Sequence, residues 1–443
     1  MIQLGLRRAA QLFRNNPQPW RAVHVAGTNG KGTVCAYLSA LLHSAGITCG
    51  RFTSPHLIDK WDCITINEKP VSETLFREVE ANVLLRNREE NIDATEFEVL
   101  TATAFDIFTH ENVEVGVVEV GMGGRDDATN VLKSKSLTII TRIGLDHQAF
   151  LGNTVEEITR HKCGIFVKDV PVIYSAANPP SVVDVIQDAA SNVGAGQLWA
   201  VDANSGLPTM EGDKWQQFLE SIDGRDQQKI AVGQAWLAYR YLYSKLRSED
   251  EHPEQNQLVM NQARDAIMNL QWPGRMQYLD IEALVPGAGQ ILLDGAHNVQ
   301  AAETLAKVVD HELRVRDGQG ISWVIGSTQG RDIAEYLRII LRPGDQIACV
   351  EFGPVDGMPW VKALSAEDIQ KAALQTHPDI EVECFGNDIT RALQWAVASK
   401  NQLARPSVVT GSLYLVSDLL RLLRQAGSDE HLLGPQRHNQ DAH

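Results

Sequence analysis

The sequence predicts an α/β protein built on a parallel, doubly wound sheet, and three observations carry that prediction. A β-branched run, Val23-His24-Val25-Ala26, leads into Gly27-Thr28-Asn29-Gly30-Lys31-Gly32-Thr33 and then into the helical pattern Val34, Tyr37, Leu38, Leu41, Leu42. Nearly unbroken apolar runs at 113–121 and 137–143, of the sort that strands buried on both faces require, lead up to the acids Glu119 and Asp146. A second alternation of strand and helix begins at residue 290 and predicts a smaller α/β domain. In such sheets ligands gather at the carboxyl ends of the strands.

Taken in order, Leu4, Leu6, Ala9, Leu12 and Phe13 have the spacing of an amphipathic first helix. Arg7, Arg8 and Arg14, with no acid before Asp59, also have the composition of a transit peptide, but the first strand begins near Arg21 and leaves little to cleave. A short strand is expected over 47–52, followed by Thr53-Ser54-Pro55-His56-Leu57, and a hairpin strand over 64–67. Helical spacing covers 71–90 and 96–109. The signal weakens over 189–224, where smaller irregular strands are expected. Helices follow at 235–246 and 258–270, separated by a polar insert at 248–257 that reads as a solvated loop. Trp272-Pro273-Gly274-Arg275 breaks the second of these. Beyond it the second alternation starts at Gln290-Ile291-Leu292-Leu293-Asp294-Gly295-Ala296-His297-Asn298 and continues through strands at 321–325 and 346–350, a helix at 333–341, and a turn at 408–413 before a last helix. The expected domains are therefore 1–284 and 285–428, with a frayed polar tail at 429–443. No internal repeat of fixed period is visible.

The loop after the first strand has a clear chemical reading. Glycines let several backbone N–H groups point into one hollow, the helix start adds a favourable dipole, Lys31 a mobile cation, and Thr33 a hydroxyl able to bind Mg²⁺. Such a set suits a nucleoside triphosphate. Its spacing is short, because only Thr28 and Asn29 separate Gly27 from Gly30. Glu119, ending a buried run, stands where a Mg²⁺-binding acid sits in many phosphate-loop enzymes. Taken alone, His147 reads as a satisfied core residue and Lys162 as a surface lysine.

Composition bounds the rest. The 443 residues suffice for two or three domains, and 44% hydrophobic with 22% charged residues is ordinary globular composition. A formal charge of −16 argues against a general nucleic-acid or anionic-membrane binder. Six cysteines without a CxxC pair give neither a zinc nor a disulfide pattern, which predicts reduced thiols in an intracellular compartment. No apolar run approaches the length of a membrane span.

Several motifs carry a resemblance together. Gly27 to Thr33, Thr53-Ser54-Pro55-His56-Leu57, Thr95-Glu96-Phe97-Glu98, Glu119-Val120-Gly121-Met122-Gly123-Gly124-Arg125, Asp127-Ala128-Thr129-Asn130, Asp146-His147, Phe150-Leu151-Gly152-Asn153-Thr154, Trp272-Pro273-Gly274-Arg275 and Asp294-Gly295-Ala296-His297-Asn298 occur in the order seen in the folylpolyglutamate synthase and dihydrofolate synthase family. That family belongs to the Mur ligase superfamily, and the match runs from about residue 4 to 425. Phe352-Gly353-Pro354-Val355-Asp356-Gly357-Met358-Pro359-Trp360 and Gly411-Ser412-Leu413-Tyr414-Leu415 look most like the fungal dihydrofolate synthase branch.

The resemblance implies a large P-loop ATPase domain, a smaller C-terminal Rossmann-like domain, and an ATP-dependent carboxylate–amine ligase. Dihydropteroate would be activated as an acyl phosphate and joined to L-glutamate; a folate acceptor, or both acceptors, is the alternative. Carried over by residue, Gly27, Thr28, Asn29, Gly30, Lys31, Gly32 and Thr33 would cradle ATP, with Lys31 steadying the transferring phosphate. Ser54, Glu119 and His147 would bind Mg²⁺, and Lys162, carbamylated, would be a ligand of a second Mg²⁺. Arg275 and Asp294 would reach the nucleotide from the linker and the C-terminal domain, so that closure completes the site. Thr95, Glu96, Phe97, Glu98, Asp126, Asp127 and Ala128 would bind the pterin substrate, and His297 would lie near the acyl phosphate and glutamate. The family likeness implies small-molecule substrates, no nucleic acid and no membrane, a monomer, and a cytoplasmic location with a mitochondrial pool as a further option.

Departures from the family pattern stand beside this. Ile230 in Gly224-Arg225-Asp226-Gln227-Gln228-Lys229-Ile230 replaces the usual Asn, Asp126 replaces an apolar residue, Trp61-Asp62-Cys63-Ile64 lacks the Glu-Arg-Ile of bacterial relatives, and Gly330-Arg331-Asp332 has Arg where Lys is frequent. None removes an implied metal ligand or the loop lysine. A nucleotide-dependent switch would not need His147, Lys162, Arg275 and Asp294 together, and a folate binder without turnover is the reading that Ile230 and Asp126 would favour.

Overall fold

A computed structural model of the chain describes residues 5–204, 213–222, 225–247, 254, 256–314, 320–398 and 405–428. Leu4 of the expected first helix, Gly224, most of the polar insert (248–253 and 255) and the tail 429–443 lie outside them. The chain divides into two compact units, Met1–Leu270 and Gln271–His443.

The first unit holds an eight-stranded sheet. Its strands are β1 (Arg21–Ala26), β2 (Cys49–Phe52), β3 (Ile64–Ile66), β4 (Lys69–Pro70), β5 (Val115–Glu119), β6 (Lys135–Ile140), β7 (Val172–Ser175) and β8 (Leu198–Val201), in the order β4-β3-β2-β5-β1-β6-β7-β8. All neighbours from β2 to β8 are parallel, while β3 runs antiparallel to β2 and β4 to β3, so the expected hairpin closes one edge. Every residue of β5 is buried, as its apolar run required. Alternate residues serve opposite faces. Val23, Val25, Val117 and Ile139 pack with the helices Lys31–Ser44, Asp226–Leu246 and Gln257–Met268. Ala22 and Val118 face Phe105 and Phe108 of the helix Glu96–His110 and Phe76 of Glu73–Glu89. Phe105 and Phe108 are fully buried, and truncating either to Ala would cost about 3–5 kcal/mol.

One stretch differs from expectation. Where irregular strands were expected over 189–224, the helix Pro180–Val193 ends at Gly194, β8 follows, and Asp213–Ser221 is a helix. The reason is an i, i+3, i+4 stripe within a polar segment: Trp215 is 1% exposed, and Phe218 and Leu219 pack against the same core.

The second unit is a six-stranded sheet of β9 (Gln277–Asp280), β10 (Gln290–Leu293), β11 (Ser322–Ile325), β12 (Gln346–Val350), β13 (Glu381–Gly386) and β14 (Ser407–Thr410), ordered β13-β12-β11-β14-β10-β9. It is parallel except for β9, which runs antiparallel to β10. That pairing puts residues 277–280 in the second sheet, within the compact unit that begins at Gln271. Trp323, Leu305, Val309, Leu337 and Ile369 form its core. Beneath it the buried Asp345 accepts two bonds from Arg314 at 2.7 Å and one from Trp323 Nε1 at 2.9 Å, so both oxygens of that carboxylate are engaged.

All six cysteines are free thiols. Among the described residues no helix is long and apolar enough to cross a membrane.

Candidate active site

The loop after β1 is shaped by what cannot fit there. Gly27 has φ 152°, and a Cβ on it would lie 1.8 Å from Thr141 Oγ1. Gly30, at φ 88°, opens the helix Lys31–Ser44. The N–H groups of Thr28 and Asn29 donate to the Arg142 carbonyl at 2.8 and 3.1 Å, and the Thr28 hydroxyl exchanges bonds with Gly144 at 3.1 Å. Those two amides are therefore spent on bracing. Anion binding falls to the first helical turn, which has no side-chain cap and no acid.

Around that turn the structure gathers the charged groups. Lys31 Nζ lies 3.4 Å from the Thr28 carbonyl and 3.6 Å from Glu119 Oε1. Glu119 is 5% exposed at the end of β5, and its Oε2 accepts the Ser54 amide at 3.2 Å. Lys162 ends the helix Val155–Lys162 and donates from Nζ to the Gly27 carbonyl at 2.7 Å. Burial first, then Lys31, pushes the Lys162 ammonium down to about 7, with Asp146 and Asp127 opposing. Its mount is tight: Arg125 N donates to the His161 carbonyl at 2.9 Å, and a Cβ on Gly124 would lie 2.6 Å from the Lys162 carbonyl. His147, at φ 52°, donates its amide to Asp146 Oδ1 at 2.8 Å, and its half-exposed imidazole stands 4.0 Å from Asp146 Oδ2.

Among the described residues, no three His, Cys, Asp or Glu side chains form a metal cluster. Ser54 and Glu119 meet where the Ser54 amide donates to Glu119, and a hydroxyl and a carboxylate are oxygen donors of the kind that suits Mg²⁺, whereas the imidazole of His147 is a softer donor that stands by Asp146. As an ammonium, Lys162 has no lone pair to offer a metal ion.

The residues implied for the pterin divide into two groups. Phe97 and Asp127 meet at Gly121, where a Cβ would lie 2.5 Å from the Phe97 ring and 3.2 Å from Asp127 Oδ2. Phe97 also stacks on Phe52 with centroids 6.2 Å apart. Asp127 is 2% exposed and accepts from Met122 N, Thr129 N and the Thr129 hydroxyl, an Asx-turn; burial pushes its carboxyl up despite these donors. Ala128 is buried beside it, and Asp126, half-buried, gives its carbonyl to Gly5 N. By contrast, Thr95 and Glu98 cap the helix Glu96–His110 reciprocally, and Glu98 is clasped by Arg8 at 2.8 and 3.2 Å. Glu96 is exposed and 3.8 Å from Lys60 Nζ.

In the second unit, Asp294 ends β10 with both oxygens engaged, Oδ2 with Met276 N at 2.9 Å and Oδ1 with Ala296 N at 2.8 Å. Burial pushes its carboxyl up, and Arg275 pulls it back. A Cβ on Gly295 would meet Arg275 Nη1 at 2.7 Å, so glycine there makes room for the guanidinium. His297 Nδ1 lies 2.8 Å from the Gly295 carbonyl.

Sequence reasoning passed over Arg142, Arg8 and Thr129. Thr129, two residues after Asp127, was open to an Asx-turn reading, whereas the partners of Arg8 and Arg142 lie about 90 and 115 residues away in sequence.

The family description "Mur ligase middle domain" matches residues 25–193, and "Dihydrofolate synthetase, C-terminal domain" matches 277–422. A probable dihydrofolate synthetase of Schizosaccharomyces pombe is 38% identical over 96% of this chain and 99% of its own. Dihydrofolate synthetase of Saccharomyces cerevisiae is 34% identical over 95% and 98%. Among solved structures, E. coli FolC in complex with DHPP and ADP superposes with a TM-score of 0.73 at 26% identity, covering 96% and 95% of the two chains. A bifunctional folylpolyglutamate synthase/dihydrofolate synthase with Mn, AMPPNP and L-glutamate bound gives the same TM-score, identity and coverage.

Proposed function

From a chain that belongs to the dihydrofolate synthase and folylpolyglutamate synthase family, we infer an ATP-dependent ligase that joins L-glutamate to 7,8-dihydropteroate, giving 7,8-dihydrofolate. It is a carbon–nitrogen ligase. ATP and a divalent metal ion serve the reaction, and its partners are small molecules. The observation that carries this reading is the convergence of Lys31, Glu119 and Lys162 on one phosphate loop, in a chain alignable with dihydrofolate synthetases over nearly its whole length.

In the first step the benzoate carboxylate of dihydropteroate attacks the γ-phosphorus of ATP and ADP leaves, giving an acyl phosphate. The glutamate amine then attacks the acyl carbon, phosphate departs, and the amine's proton passes to solvent. Bringing three anions together is the physical obstacle. We assign the uncapped first turn, with Gly30, Gly32 and Thr33, and Lys31 to the phosphates; Gly27, Thr28 and Asn29 shape the loop. Ser54, Glu119 and His147 would hold Mg²⁺, which supplies charge neutralisation along the phosphate chain. A carbamate on Lys162 would bind a second Mg²⁺; the burial that holds the amine near neutrality supports this, because only the neutral amine combines with CO₂.

Phe97, Asp127 and Ala128 are assigned to the pterin, with Thr95, Glu96, Glu98 and Asp126 at its border. Arg275 and Asp294 are assigned to the nucleotide, and His297 to the acyl phosphate and glutamate. A monomer in the cytoplasm, with a mitochondrial pool as the alternative compartment, completes the proposal.

Phosphate release from ATP with L-glutamate, comparing dihydropteroate with tetrahydrofolate, tests it. Turnover with dihydropteroate alone is expected. Turnover with tetrahydrofolate alone would reassign the protein to polyglutamylation, and turnover with both would make it bifunctional. ATP binding without stimulation by either acceptor would overturn ligation and leave a binding protein.

A further inference from the structure

Arg142 follows β6 directly, and its main chain supports the phosphate loop from behind. Its carbonyl accepts the Thr28 and Asn29 amides, and it pairs with Asn29 in an isolated antiparallel bridge. Residues opposed across such a bridge project to the same side, so the Arg142 side chain leaves the main chain on the side of Asn29. There it is half-buried, and its Nε is enclosed without an acceptor. Among the described residues, no carboxylate pairs with it.

Of the other cations at the loop, Lys31 lies 3.6 Å from Glu119 and Lys162 is bonded to the Gly27 carbonyl. Gln234 Nε2 donates to the Ile140 carbonyl at 3.0 Å, which fixes Asp226–Leu246 against the end of β6. One turn earlier on the same face stands Ile230, 3% exposed. An enclosed guanidinium N–H without an acceptor is costly, and such a cost is relieved where a ligand supplies the acceptor.

We propose that Arg142 is a nucleotide-contact residue whose guanidinium binds the phosphate chain of ATP from the Asn29 side, as a second cation beside Lys31. This rests on the ATP-dependent reading above. Because the carbonyl that braces the loop belongs to the main chain, side-chain variants leave the brace in place.

The test uses the full chain with Arg142→Met and Arg142→Lys, reading KM for ATP at several ionic strengths, KM for L-glutamate, and Tm without nucleotide. Arg142→Met should raise KM for ATP about tenfold and flatten its dependence on salt, since one phosphate-facing charge is gone. Arg142→Lys should recover part of both effects, while KM for L-glutamate and Tm stay at parental values. A KM for ATP within twofold of the parent would overturn the inference alone, as would a rise with unchanged salt dependence, which would move the side chain to the sugar or base. A Tm loss shared by both variants would make Arg142 structural. A parent that does not use ATP would remove the ligase reading itself, and this inference with it.

Discussion

Two regions of the first unit hold buried acids in opposite ways. At the phosphate loop, Glu119 has one amide at 3.2 Å and an ammonium at 3.6 Å, both long for full engagement. At the start of the helix Glu96–His110, Glu98 has Arg8 at 2.8 and 3.2 Å and its own cap at 2.7 Å. Both are nearly excluded from water. The difference is in how closely each is held: the Ser54 and Lys31 contacts of Glu119 are long, whereas those of Glu98 are short and spent on the start of its own helix.

That contrast can be broken by experiment. The largest expected effect is from Glu119→Ala, a rate loss of at least about 100-fold in phosphate release with a cooperative thermal transition retained. A variant within a few fold of the parent would refute a metal-clamping role. Next comes Lys162. With its amine titrating at about 7, the neutral, CO₂-reactive form grows as pH rises through that value and vanishes below it. Enzyme stripped of CO₂ should therefore regain activity faster at pH 8 than at pH 6 when the dissolved CO₂ is held equal at the two values, and Lys162→Ala should not respond. Equal recovery at both pH values, or a fully active Lys162→Ala, would remove the carbamate. The smallest effect is from Glu98→Ala, which strands Arg8 and uncaps a helix at a cost of about 2 kcal/mol in urea unfolding, with a lesser change in kcat. A Glu98 variant of parental stability but lost turnover would erase the contrast between the two acids.

Legibility followed how local the determining interaction is. The loop, the strand ending at Glu119 and the hairpin at 64–67 are written in neighbouring residues, so periodicity and turn chemistry reveal them. The helix Asp213–Ser221 escaped because its stripe is only three apolar residues in a polar segment. β9 escaped because pairing with β10, rather than its own composition, makes it a strand. Lys162 reads as a surface residue in isolation, and what buries it is a glycine turn from another part of the chain. The longer contacts of Glu119 and the tight clasp of Arg8 on Glu98 are likewise set by partners far away in sequence.

The short strand β4 has a consequence for the protein among its own copies. A sheet edge is a row of open donors and acceptors on which a stranger's strand can grow. Here the row is two residues long, one a charged lysine and the other a proline with no N–H to offer, and both are exposed. A fibril or a swapped dimer seeking that edge would find one amide and a charge, and the sheet stops growing there by its own chemistry.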